Sequence, residues 1–185
     1  MPRVEVATRD QLIEAAARIL AEDGLGGLST RRLANELGVS TMVVYTRFGS
    51  MPELLDAVVT EGFDRQTARL EGVAATSDAL ADLVALGVAY RANAVANPHL
   101  YAIMYAGTGE LQHRADQAKG TLDLLTATAA RAIEAGGVNA ADAVTLAGQV
   151  WSAAHGAVSL ELAGVVGKPK GAEKALRETL GRLLS

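Results

Sequence analysis

The chain of 185 residues has no cysteine, which excludes disulfides, thiolate metal sites and cysteine nucleophiles, and fits a reducing interior. Aromatic residues make up only 4%, and no stretch sustains the period-two alternation of β-branched residues that marks a strand. The valine pairs at 43–44, 58–59 and 165–166 are short and isolated. No unbroken apolar run reaches the ~18 to 20 residues of a membrane span. The opening segment MPRVEVATRD has no apolar core behind its basic residue, so a secretory signal is not expected and a cytoplasmic location is. A net positive charge is missing too: the balance is −4, with an isoelectric point near 5.4. That excludes a protein that coats nucleic acid along its whole length.

Catalytic patterns are equally sparse. The glycine-rich stretch 24–27 lacks the spacing and the lysine of a phosphate loop. Glu110 and His113 have the spacing of one half of a di-iron bundle site, but His99 and His155 have no glutamate three residues before them. No nucleophile–base constellation stands out, so an enzyme, a metal and a cofactor are not expected.

What the chain does have is helix-forming sequence. Half of it is apolar, enough to build a sizeable core, and alanine and leucine dominate. The expected fold is all-α. Thr8 with Gln11 reads as a capping box, and Gly24 ends the helix that follows. Ser29 is placed to cap a short helix stopped by Gly38; Ser40 to cap the next, running to Phe48; and Ser50 with Glu53 to cap a longer one to about residue 74. Further helices are expected at about 78–96, 98–106, 110–135, 140–165 and 171–184, with Asn139 and Asp142 together resembling another N-cap. Short helices with tight turns come first and long helices follow. That contrast predicts a reader module over 1–50 and a larger helical domain over 51–185.

The stretch LSTRRLANELGVSTMVVYTRFGSMPELLDAV, residues 28–58, carries the chemistry. Two short helices meet at Gly38, which can take a positive φ. Ala34 allows close approach, and Val39 plugs the angle between the helices. Leu28, Leu33, Leu37, Val39, Val44 and Phe48 supply a compact core. This is helix-turn-helix spacing. Its second helix projects Ser40, Thr41, Met42, Val43, Thr46 and Arg47 away from that core. Hydroxyls there can donate to or accept from base edges, Met42 and Val43 can meet a thymine methyl, and Arg47 has the reach for guanine or phosphate. Thr30, Arg31 and Tyr45 suit phosphates, and Ser50 opens a helix N-terminus where another phosphate fits. The local charge supports this: residues 24–50 hold Arg31, Arg32 and Arg47 against Glu36 alone, and phosphate contacts act within ~10 Å. A helical small-molecule or protein-binding module without DNA binding is the alternative reading.

The run from Thr30 through Leu33, Ala34, Gly38, Val39, Ser40, Tyr45, Phe48 and Ser50 to Leu54 and Leu55 resembles the tetracycline-repressor (TetR) family. That resemblance implies that Thr30, Arg31, Thr41, Met42, Val43, Tyr45, Thr46 and Arg47 face DNA. It also implies a ligand-responsive repressor that binds a pseudo-palindromic operator on double-stranded DNA. Two positions depart from the family pattern: members usually carry lysine where Met51 stands, and often histidine where Arg47 stands.

The resemblance further implies a second domain that encloses an effector pocket and forms a homodimer through its last two helices, here about 140–165 and 171–184. Val144, Ala147, Trp151, Ala154 and Val158 form one side of the former. Ala172, Ala175, Leu176, Thr179, Leu180 and Leu183 form a stripe on the latter. Trp151-x-x-x-His155-Gly156 resembles the signature of one TetR subgroup, as does Pro98-x-x-Tyr101-x-x-Met104-Tyr105. Tyr90, Tyr101, Met104, Tyr105, Trp151 and His155 are the candidate pocket residues, and their apolar character implies an apolar or aromatic small-molecule effector. Packing alone is the competing role for Trp151 and His155.

Overall fold

A computed structural model describes residues 7–105, 114–139, 142–166 and 171–185, with the side chains of Arg114 and Ala115 left aside. Among the described residues every regular element is a helix. They are α1 (Arg9–Asp23), α2 (Thr30–Glu36), α3 (Thr41–Phe48), α4 (Met51–Glu71), α5 (Ala79–Ala96), α6 (Pro98–Tyr105), α7 (Arg114–Glu134), α8 (Ala143–Leu162) and α9 (Ala172–Leu183), with a 3-10 turn at Leu25–Gly27. The all-α expectation holds. The Glu110–His113 pair lies outside the described residues.

Most of the expected punctuation is there. Thr8 accepts from the Gln11 backbone N–H at 3.2 Å while the Gln11 side chain accepts from the Thr8 N–H at 2.8 Å. Ser29 caps α2 through the Arg32 N–H, and Ser50 accepts from the Glu53 N–H. One cap differs from expectation. Ser40 occupies the N-cap of α3 with extended backbone but makes no capping bond with its side chain. Of the expected Asn139 and Asp142 pattern, it is Asp142 that caps α8: its carboxylate accepts from both the N–H and the hydroxyl of Thr145.

The described residues group into two compact units. The first comprises residues 1–63 with 97–117, and the second 64–96 with 118–185. In the first, α1 packs on α2 and on α6, and α2 packs on α3. Leu12, Ile13, Ile19, Leu33, Leu54 and Met104 are fully buried there. Gly62 permits a close approach: a Cβ at that position would sit 2.6 Å from Met104 Cγ.

In the second unit α5 is central, packed on α8 and α9, which also pack on each other. By length and mean hydropathy α5 could cross a membrane, but half of it is buried in the core and it carries Asp82 and Arg91. The apolar stripes expected to face a partner are divided between core and surface: Val144, Ala175 and Thr179 are exposed, and Trp151, Ala172 and Leu183 half-buried. Ala147, Ala154 and Val158 of α8 and Leu176 and Leu180 of α9 are buried within this unit, because residues spaced three and four apart meet the chain's own α5 first. Leu180 lies so close that a Cβ at Gly87 would come within 2.3 Å of its Cδ1. Val144, Leu160 and Leu162 of α8 remain exposed.

Candidate nucleic-acid interface

The turn between α2 and α3 is a Schellman motif. The Val39 N–H donates to the Ala34 carbonyl at 2.9 Å and the Gly38 N–H to the Asn35 carbonyl at 3.2 Å, with Gly38 at φ +65. Only a residue at ease in the left-handed region closes α2 this way without strain. Leu28, Leu33, Val44 and Phe48 are buried beneath the turn as expected. Leu37 and Val39 are only half-buried.

Burying Val44 and Phe48 fixes which face of α3 looks outward. Thr41, Met42, Tyr45, Thr46 and Arg47 are exposed and Val43 is half-buried. Met42 is 69% exposed and Tyr45 50%, far more than a core role would leave for such side chains. Ser40 and Arg31 are exposed as well. Thr30 is buried, with its hydroxyl 3.5 Å from that of Tyr45, so it supports the tyrosine from below. Ser50 is half-buried at the start of α4.

The arginines of this unit divide into two sets. Arg32 pairs with Asp23 at 2.5 Å and donates to the Gly27 carbonyl. Arg18 pairs with Glu22 and Glu36, and Arg9 with Glu61 while lying over the Phe48 ring. Among the described residues Arg31 and Arg47 have no acidic partner. The positive field left over from internal pairing is therefore concentrated on the outward face of α2 and α3, at Arg31 and Arg47. One acid works against it: the carboxylate of Glu53 lies over Gly49, 2.5 Å from where a Cβ would be. Sequence spacing identified Glu53 as a cap residue but not as a charge beside Ser50.

The six candidate pocket residues fall in two groups. Tyr101, Met104 and Tyr105 belong to the first unit. The Tyr105 ring packs on Phe63 edge-on at 5.8 Å and on Tyr101 at 5.1 Å, and Met104 covers Gly62. Tyr90, Trp151 and His155 belong to the second. There Tyr90 and Trp151 line one apolar crevice with Leu70, Leu86, Gly87, Leu125, Val150 and Ala154, closed to less than the width of a water molecule. The Tyr90 hydroxyl lies 2.9 Å from His155 Nδ1, and the Ser159 hydroxyl is 3.4 Å from Nε2. Burial pushes the His155 pKa below its ordinary value, which favours the neutral ring at this contact. Nearby, Gln66 and Thr121 are fully buried and bonded to each other at 2.8 Å. Neither was distinguishable from a surface polar residue by sequence pattern. Among the described residues no group of three or more histidine or acidic side chains could hold a metal ion.

Comparison with known proteins agrees with this architecture. Residues 12–58 match the bacterial regulatory proteins of the tetR family, and residues 83–183 match the tetracyclin repressor-like C-terminal domain. The HTH-type transcriptional repressor DrrR1 of Streptomyces coeruleorubidus is 46% identical over 52 residues, covering 28% of this chain and 19% of that protein. The chain thus matches about a fifth to two fifths of the length of its curated relatives. Two solved structures align end to end. A protein of unknown function from Rhodococcus sp. RHA1 is 32% identical, with TM-score 0.78 over 100% of this chain and 98% of the other. FadR from Bacillus subtilis, solved with stearoyl-CoA, is 17% identical with TM-score 0.83 over 96% and 98%, and shares the fold. With a family model spanning over half its length and a full-length relative in structure, the chain belongs to the tetracycline-repressor (TetR) family of bacterial regulatory proteins.

Proposed function

We propose that this chain is a ligand-responsive transcription regulator, most simply a repressor, that reads a pseudo-palindromic operator as a homodimer in the cytoplasm. The observation that carries the reading is the outward face of α3. It combines exposed hydroxyls, an exposed methionine and tyrosine, and a free arginine, on a helix held rigidly by the Gly38 turn. On this reading residues 1–50 form the reader. Ser40, Thr41, Met42, Val43 and Thr46 meet base edges, while Arg31, Tyr45 and Ser50 hold phosphates and Thr30 acts through Tyr45. Arg47 reaches guanine or phosphate.

Residues 51–185 supply the response. The crevice at Tyr90 and Trp151 is the effector site we favour, with His155 orienting the Tyr90 hydroxyl. Its apolar walls suit an apolar or aromatic molecule that wedges it open. Dimerisation uses the outer faces of α8 and α9, where Val144, Leu160 and Leu162 are uncovered. A two-fold dimer matches two half-sites about one helical turn, ~34 Å, apart. An effector that changes that separation weakens DNA binding, and DNA weakens effector binding by the same factor.

The test is selection of genomic fragments on the purified protein, followed by titration of the recovered duplex at rising salt. A regulator retains fragments near its own gene and loses affinity steeply with salt. Absence of duplex binding at low salt would sink this reading in favour of a binding module that does not read DNA.

A further inference from the structure

The second unit holds a cavity apart from the Tyr90 crevice and roomier than it. Its volume is about 310 Å³, at the lower end of the ~300–1,000 Å³ typical of small-molecule sites. The walls come from α5, α8 and α9. Ala157, Ala175, Leu176 and Thr179 give it a mainly apolar surface, and Arg91 and Glu161 give it its charge. Those two residues form a bidentate pair: Nε donates to Oε2 at 2.7 Å and Nη2 to Oε1 at 2.5 Å. The pair is largely buried, the side chains 12% and 7% exposed.

A guanidinium has five N–H donors, and the pair uses two of them. Among the described residues the others have no partner, although little of the side chain is exposed. Buried donors without acceptors are unfavourable, and this cavity is where an acceptor would enter. The electrostatics decide what kind. Arg91 is already neutralised by Glu161, and the Glu173 carboxylate adds negative potential at the same guanidinium. A second carboxylate would therefore be repelled and would lose its hydration on entry. A neutral oxygen takes the free N–H groups without that cost.

We propose that this cavity binds a small, neutral, mostly apolar molecule whose carbonyl or hydroxyl oxygen accepts a hydrogen bond from Arg91. The site is independent of the Tyr90 crevice and of whether the chain reads DNA. It is tested with three probes of similar shape, 4-fluoroacetophenone, 4-fluorobenzoate and 1-ethyl-4-fluorobenzene, titrated into the full chain and followed by fluorine NMR. The ketone is expected to bind roughly tenfold more tightly than either the acid or the hydrocarbon, the value of one well-made hydrogen bond.

Two variants locate the site. Ala175→Phe fills the cavity, and Arg91→Leu with Glu161→Leu removes the donor while leaving a packed apolar pair. Each should weaken ketone binding by about tenfold or more, whereas Lys119→Ala, on the exposed face of α7, should leave it unchanged. Circular dichroism checks that each variant is folded; if Ala175→Phe is not, the paired leucine variant carries the test. The proposal is overturned if the ketone shows no preference over the other probes or no binding at millimolar concentration. Unchanged ketone affinity in the folded variants would overturn it as well. So would sedimentation showing that Ala175→Phe turns a dimer into monomers, because the cavity would then receive a second copy of the chain.

Discussion

The hydroxyl of Tyr90 on α5 sits 2.9 Å from Nδ1 of His155 on α8, joining two helices that are 65 residues apart in sequence at that point. Tyr90 is 2% exposed, so the bond is made where water cannot easily replace it. Tyr90→Phe keeps the ring and deletes the hydroxyl, and should destabilise the chain by about 1 kcal/mol, the typical worth of one such bond. Chemical denaturation of the two proteins measures this directly.

The same histidine predicts a pH response. Its folded pKa lies below the ordinary value of 6.5 through burial, so the unfolded chain takes up a proton first as pH falls. Its contribution to stability is complete above pH 6.5 and is lost as pH drops toward and through the folded value. Wild type should therefore lose more melting temperature between pH 8 and pH 5.5 than His155→Gln does. Equal losses would mean that this ring does not couple to folding.

On the reading face, Arg47→Ala and Tyr45→Ala should weaken operator binding with sedimentation behaviour unchanged. If Arg47 holds a phosphate, its loss lowers the slope of log affinity against log salt by about 1 and acts alike on all sequences. If it reads a guanine, one base position relaxes at a cost of roughly 1–3 kcal/mol. Fluorescence anisotropy on operator variants separates the two.

Met51 provides the converse experiment. It stands at the start of α4, where the family usually carries lysine, and Glu53 is close by. Met51→Lys should tighten duplex binding and steepen the salt slope by about 0.9, one further phosphate neutralised. Affinity that does not change would place the start of α4 outside the DNA footprint.

Two glycines should respond differently to alanine. At Gly38 nothing lies within 4 Å of a new Cβ but φ is +65, so the cost is backbone strain of roughly 1–2 kcal/mol. At Gly87 the backbone is helical and a Cβ would meet Leu180 at 2.3 Å, so the cost is overpacking, about 1–3 kcal/mol. Trimming Leu180 to alanine should offset much of the Gly87→Ala effect and none of the Gly38→Ala effect. A double-mutant cycle on each pair reads the coupling.

The reader was largely legible from sequence because its determinants are local. The Ser29 cap, the Gly38 stop and the Val44–Phe48 spacing all act within a few residues of where they stand. The pairing of charges was not legible: Arg32 finds Asp23 and Arg18 finds Glu36 only after α1 and α2 have packed. The stripes on α8 and α9 were read as apolar, but which of their residues α5 takes and which stay exposed was not legible, since periodicity says that a face is apolar and not what covers it. The same holds for Arg91 and Glu161, 70 residues apart, and for Tyr101 and His155, both plausible pocket residues by type yet placed in different compact units.

The packing of α6 on α1 within the first unit has a consequence for synthesis. The helix-turn-helix leaves the ribosome early, but the surface of α1 that α6 covers stays bare until Pro98–Tyr105 has emerged too. Vectorial folding of the reader therefore stalls with an apolar face open to solvent, the state in which nascent chains stick to one another. A gene truncated after residue 63 would encode all three helices of the reader and still yield a fragment prone to aggregation.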